Sequence, residues 1–243
     1  MRKWNRIKAA LATPFLRRLL RRPSHFVARE ELARRYLNGD GVEVGALNLP
    51  LRVPEGARVR YVDYRPAEEL RNADVQDVRQ PDLISDLESM IGIADRSLDF
   101  VVANHVLEHV ENPLRALCAI SRVLRGAGIA FITLPDKRYT FDKKRAVTPL
   151  GHILRDFREG PAGSRREHYL DWAAKVERLR GRKIAQRASE LERNAANIHF
   201  HVWDFPAMRQ MIEFAASAIG TNLLIEHVLE NRGEVIWILR KGL

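Results

Sequence analysis

Gly41-Val42-Glu43-Val44-Gly45-Ala46-Leu47-Asn48, followed by Val59-Arg60-Tyr61-Val62-Asp63, decides the fold of this chain. The first run reads as a short apolar strand that breaks at a glycine, the second as an apolar strand that ends on an acid. A strand, a glycine turn and an acid about 20 residues further on form the layout of a nucleotide-binding crossover. There the acid closing the second strand takes ribose hydroxyls. The turn holds Gly45 alone, followed by Ala46, Leu47, Asn48 and, two places on, Pro50. A pyrophosphate needs several glycines so that backbone amides can close on it. The pattern therefore points to a ligand with an adenosine-like ribose and no pyrophosphate, a description that S-adenosylmethionine meets.

Outward from this stretch, strands and helices alternate. Ser97 to Asn104 is a β-branched apolar run of the kind buried on both faces of a parallel sheet. Asn112-Pro113 supplies a helix cap and first-turn proline. Leu114, Leu117, Ile120, Val123 and Leu124 repeat at the helical period, and Gly126 is expected to close the helix. Gly128 to Leu134 reads as the next buried strand, halted by Pro135. Such crossovers build an α/β, doubly wound, Rossmann-like sheet, mostly parallel. Residues 136–200 break the alternation. They are polar, rich in histidine and helical in places such as Tyr169 to Arg180, and they read as an insertion over one end of the sheet. Asp204-Phe205-Pro206 then starts a helix running to about Ile219, and Leu223–His227 and Glu234–Leu239 form an antiparallel hairpin around Glu230–Gly233. The domain plan is a basic segment over 1–35 and an α/β domain over 36–243, interrupted at 136–200.

Charge is unevenly spread. Residues 1–35 hold eleven Lys or Arg against Glu30 and Glu31, so almost all of the net charge of +10 lies there and the rest is close to neutral. A nearly neutral core argues against nucleic acid as partner. Thr13-Pro14 opens a basic amphipathic helix with Phe15, Leu16, Leu19 and Leu20 on one face and Arg17, Arg18, Arg21 and Arg22 on the other. Residues 1–22 are thus expected to lie on an anionic membrane surface, or else to be a solvated tail. No run reaches the ~20 apolar residues of a membrane span or forms a secretory signal core. The lone Cys118 rules out a disulfide framework and suits a reducing cytosol, so the expected location is cytoplasmic, peripheral on the inner membrane face.

Three stretches carry a family resemblance: Val42 to Gly45, Asp99 to Val110 (Asp-Phe-Val-Val-Ala-Asn-His-Val-Leu-Glu-His-Val) and Val123 to Gly128. Together they resemble the class I S-adenosylmethionine-dependent methyltransferases, well over residues 41–135 and loosely over 204–243. The resemblance implies a seven-stranded sheet ending in an antiparallel hairpin. Pro135-Asp136-Lys137-Arg138-Tyr139-Thr140-Phe141-Asp142 and the His199-to-Trp203 run are similar to a bacterial subgroup associated with cell-surface polysaccharide or glycolipid pathways. The departure is the glycine turn, where Gly-x-Gly becomes Gly45-Ala46-Leu47. By this resemblance Glu43 and Gly45, with Ala46 in the turn, wall the methionine part of the cofactor, and Asp63 holds the ribose. Asp86 and Leu87 meet the adenine, and Asn104 sits with His105 beside the sulfonium. Read as residues alone, Asp63 and Asp86 also suit surface acids that cap helices, whereas an acid inside Val-Glu-Val-Gly is costly to bury without a partner.

Methyl transfer to a sugar hydroxyl needs a general base. His105, past the fourth strand, and Asp136, past the fifth, are the positional candidates, and His168 in the insertion is a third. Glu108 and His109 read as supporting residues one helical turn further on. His199 and His201 share a side if extended, which allows a metal, but without cysteines the pair reads as hydrogen-bonding or acceptor contact, and no metal ligand is assigned. Lys137, Arg138, Lys143, Lys144 and Arg145, with Tyr139 and Phe141 between them, suit a phosphate or anionic sugar. The expected activity is O-methylation of a glycan, glycolipid or nucleotide-sugar hydroxyl. The alternatives are another small or lipid-like acceptor, or a non-catalytic cofactor- or partner-binding member of the fold. The absence of an Asn-Pro-Pro-aromatic or Asp-Pro-Pro-aromatic run after the fourth strand, where Ala103-Asn104-His105-Val106 stands, disfavours nucleic-acid methylation.

Overall fold

The computed structural model describes residues 24–71 and 77–243. The expected basic helix opening at Thr13 lies outside the described residues. One seven-stranded sheet organises the chain: β1 (Gly39–Val44), β2 (Ala57–Asp63), β3 (Leu83–Ile84), β4 (Leu98–Asn104), β5 (Leu124–Pro135), β6 (Leu223–Asn231) and β7 (Glu234–Lys241). Its order is β3-β2-β1-β4-β5-β7-β6. The first five strands pair in parallel, whereas β7 runs antiparallel to both β5 and β6. This is the doubly wound sheet with a C-terminal hairpin that the alternation predicts. The hairpin closes in two residues, Arg232 (φ 51°) and Gly233 (φ 99°), the double positive φ that a tight turn between twisted strands demands.

The alternation of side chains along β4 builds two cores. Val101 and Ala103 join Ala130 and Ile132 of β5 beneath α3 (Pro113–Val123) and α7 (Phe205–Ser217). Phe100 and Val102 face the other way, in one cluster with Phe131, Ile238 and, from α1 (Ser24–Tyr36), Leu32 and Ala33. Phe100 is fully buried, so its truncation to alanine costs ~3–5 kcal/mol. The charge pattern groups residues 24–35 with the basic segment. In the structure these residues form a helix packed on the sheet, with Arg29 itself buried.

Helix α3 begins as expected, with Asn112 Oδ1 accepting from the Arg115 amide at 3.1 Å and proline in the first turn. It does not close at Gly126. Leu124 already leaves the helix in extended conformation and pairs with Leu98, so β5 starts at once and Ala127, at φ 64°, makes the turn within it. After β5 come two short 3-10 turns, then α4 (Leu150–Glu159), α5 (Arg165–Lys175) and α6 (Arg182–Arg193), with no strand among them. Around them Tyr169, Ala188, Leu191, Ile198 and Phe200 form a small core of their own.

Candidate active site

An open cleft of about 1030 Å³ lies at the carboxyl ends of β1, β2, β3 and β4. This is where the strand order reverses between β1 and β4, and ligands of such sheets bind outside that switch point. Gly45 ends β1 with φ 68°, its amide donating to Val62 O at 2.9 Å, and a Cβ there would come within 2.8 Å of Val106 Cγ2. Both facts require glycine. Leu47 also stands in the left-handed region, at φ 47°. The loop therefore keeps the path of a two-glycine turn, with a leucine where a second glycine would be free of strain.

Of the residues singled out from sequence, Gly45, Asp63, Asp86, Leu87 and His105 line this cleft. Asp63 closes β2. Its Oδ1 accepts from the Tyr64 amide at 2.8 Å, and burial pushes its carboxyl up against that hydrogen bond. Asp86 accepts from the Ser89 amide and hydroxyl at 2.7 and 2.9 Å, so it caps a turn while facing the cleft, and Leu87 is buried beside it.

Glu43, Ala46 and Asn104 do not line the cleft; they lie outside its wall. Both Glu43 carboxylate oxygens lie 3.0 Å from the Leu51 amide, and Asn104 Nδ2 donates to Oε1 at 3.3 Å. Burial raises Glu43 to about 7 in spite of these donors. Its visible work is to hold the loop that follows the glycine turn.

His105 lies between two acids. Its Nε2 donates to Glu234 Oε2 at 2.7 Å, and its Nδ1 lies 3.3 Å from Glu108 Oε1, off the hydrogen-bond line. Burial lowers its pKa, but Glu108 and Glu234 outweigh that and hold it at about 9. Glu234 is fixed from behind by Arg29, whose Nε donates at 2.9 Å, and by Asn231 at 2.8 Å. Against the cost of burial, Arg29 and His105 draw Glu234 down to about 2. With Nε2 on Glu234 and Nδ1 beside Glu108, both ring nitrogens face acids, an arrangement that opposes the expected role of His105 as general base.

The other two expected bases lie away from the cleft. Asp136 faces a separate recess of about 320 Å³ beside the β6–β7 turn. Arg138 grips both its oxygens, at 2.6 to 3.0 Å, and this outweighs burial to lower its pKa. His168 is enclosed with His152 and His201, and burial followed by His152 pulls it down to about 4. His199 and His201 do not share a site. His199 Nδ1 meets Asp142 Oδ2 at 2.6 Å, while His201 turns toward His152 and His168. Nor do the insertion's cations form a grip. Arg145 is buried, spent on Asp142, Asp171 and the His199 carbonyl, and Arg138 is taken by Asp136.

Sequence reasoning missed much of the acceptor side. His109 lines the cleft, and its Nδ1 lies 3.0 Å from Ile198 O. A carbonyl only accepts, so Nδ1 carries the proton. Burial lowers the ring's pKa more than the Glu108 charge raises it, and the Asn197 side chain also hydrogen-bonds the ring. Arg115, Arg165, Tyr169, Asn197 and Phe200 complete that wall, with Arg165 bidentate on Glu111 at 2.6 and 2.7 Å. Nothing in the spacing of the insertion marks those residues.

Residues 39–132 match the family model of a methyltransferase domain. Among solved structures, a Rhodobacter sphaeroides protein described as a candidate Zn-dependent alcohol dehydrogenase is 16% identical, with a TM-score of 0.54 over 91% of this chain and 92% of that chain. At that identity the likeness speaks for the fold alone. S-adenosylmethionine-dependent methyltransferases from Thermotoga maritima and Aquifex aeolicus are each 12% identical with TM-scores of 0.48, covering 89% and 92% of this chain and 89% and 95% of theirs. No protein of curated function matches the sequence. Strand order, the glycine turn, the acid closing β2 and the domain match agree: residues 39–132 are a methyltransferase domain. Its cofactor is S-adenosylmethionine.

Proposed function

We propose that this methyltransferase transfers the methyl group to a hydroxyl of a glycan, glycolipid or nucleotide-linked sugar. The observation that carries the reading is the acceptor wall, where His109, Arg115, Arg165, Tyr169 and Asn197 present cations, hydrogen-bonding groups and an aromatic ring around an open cleft. With Arg165 paired to Glu111, such a surface of hydrogen-bonding groups suits a polyhydroxylated acceptor better than an apolar one.

Asp63 would hold the ribose hydroxyls, Leu87 would lie against the adenine, and the Gly45 turn would admit the methionine part. The cofactor, when bound, supplies an electrophilic methyl on a sulfonium. The chain's own share is to orient the acceptor and take its proton. His109 is the base, because burial lowers its pKa and its ring lies on the cleft wall. His105 keeps a fixed positive charge that pins Glu108 and Glu234. Residues 1–22 would bring the enzyme to an anionic membrane surface, where glycolipid acceptors reside.

The test is incubation of purified protein with labelled S-adenosylmethionine and panels of nucleotide sugars, glycolipids and apolar quinone-like acceptors. Label should enter the sugar-bearing acceptors, and His109→Gln should lower turnover ~100-fold while leaving cofactor affinity unchanged. Label entering only apolar acceptors would refute the sugar reading.

A further inference from the structure

The histidines of the insertion leave one arrangement that the methylation chemistry does not use. His152 comes from α4, His168 from α5 and His201 from the segment leading to α7, yet ligand atoms of all three lie within 4.8 Å of one another. His152 Nε2 and His168 Nε2 are 3.0 Å apart. Asp156 Oδ2 lies 3.1 Å from that same His152 nitrogen.

Two buried atoms here have no hydrogen-bond partner: His201 Nδ1, on a residue only 1% exposed, and Asp156 Oδ2. Each would cost ~1–3 kcal/mol if left unsatisfied. The outward atoms, in contrast, are well held. His201 Nε2 donates to the Glu111 carbonyl at 3.0 Å, His168 has a hydrogen bond with the Phe200 backbone, and Asp156 Oδ1 accepts from Ser164 Oγ at 2.9 Å. For His168 and His201 an outer ring N–H tied to backbone leaves the inner nitrogen free to face the cluster, the arrangement that orients histidines on a metal, whereas His152 Nδ1 takes a hydrogen bond from Arg155 at 3.1 Å.

We propose that His152, His168 and His201 bind a divalent transition-metal cation, zinc foremost, with Asp156 beside His152 as the neighbouring acid that offsets its charge. Three imidazole donors without thiolate suit zinc in a tetrahedral site with its fourth position open, whose ligand atoms lie roughly 3.3 Å apart for bonds of ~2.0–2.1 Å. The 3.0 Å separation of His152 and His168 is close to that edge. The other histidine group, Glu108 with His109 and His199, is already engaged: His199 by Asp142, His109 by Ile198 O and Glu108 by the charge on His105. The ion would clip three segments that are separate in sequence. Because Glu111 and Phe200 both hold these histidines and line the cleft, it would also fix the acceptor wall.

The experiment uses the full chain without any affinity tag, exposed to zinc and then dialysed against metal-free buffer. Elemental analysis should find about one zinc per chain, and cobalt substitution should give the intense visible bands of a tetrahedral site. His152→Gln and His168→Gln should each lose the ion, and chelation should lower the thermal midpoint of the parent but not of these variants. A parent chain that retains no zinc overturns the proposal. So does zinc retained at full stoichiometry in both folded variants, which would place the ion elsewhere.

Discussion

Replacing His105 by glutamine removes a charge from between two buried acids while keeping a donor for Glu234. In the folded chain His105 titrates at about 9 against an ordinary value of 6.5, a gap worth ~3 kcal/mol at roughly 1.4 kcal/mol per pH unit. The side chain is 38% exposed, so water screens part of this, and about 1–2 kcal/mol is the expected contribution. Because the folded pKa is raised, the stabilisation is fully present below 6.5 and is lost as pH rises through about 9. Urea unfolding of parent and His105→Gln across that window should therefore show a gap of about 1–2 kcal/mol at the acid end that closes above the folded pKa. The groups facing the ring are Glu108 and Glu234, with Arg29 behind Glu234 and His109 and His199 near Glu108; the substitution keeps all of them but removes the charge that lowers both acids. A gap that stays constant from 6.5 to beyond 9, or a variant as stable as the parent throughout, would show that His105 is not the charged centre of this network.

Three further outcomes are expected. Asp63→Ala should weaken binding of S-adenosylmethionine or its demethylated product by ~1.5–3 kcal/mol, read by calorimetry; unchanged affinity in a folded variant removes Asp63 from the ribose. Leu47→Gly should unfold no more readily than the parent, whereas Leu47→Val should be less stable by ~1–2 kcal/mol, since a β-branched residue tolerates φ 47° worst. A valine variant matching the parent would refute the left-handed turn. Deleting residues 1–22 should spare cofactor binding and reduce co-sedimentation with anionic vesicles, most visibly at low salt; a full-length protein that ignores such vesicles ends the membrane reading.

The sheet was legible because its information is local: β-branched runs of strand length, the Asn112-Pro113 cap and the Asp204 cap each declare themselves within a few residues. Gly126 misled because glycine is the usual helix stop, whereas here the chain passes straight into β5 and turns at Ala127. That Gly45, Asp63, Asp86 and Leu87 line the cleft follows from the same local signals, since they stand at strand ends. The catalytic assignment was not legible. Whether His105 is acid or base depends on Glu234, 129 residues away, and whether Asp136 is available depends on Arg138 folding back on it. Charge state is a property of neighbours, and only the folded chain brings those neighbours together.

The link from Arg29 through Glu234 to His105 has a consequence for the order of assembly. Arg29 and Glu234 are 205 residues apart, and β7, which carries Glu234, lies between β5 and β6. During synthesis β1 to β5 can pair while β7 is still unmade, leaving one edge of β5 open and His105 without its nearer carboxylate. The cleft wall thus acquires its fixed charge only when the final strand slots in. Until then the nascent chain has the floor of the cleft but an unset histidine, and such a long-range closure is a slow step in folding.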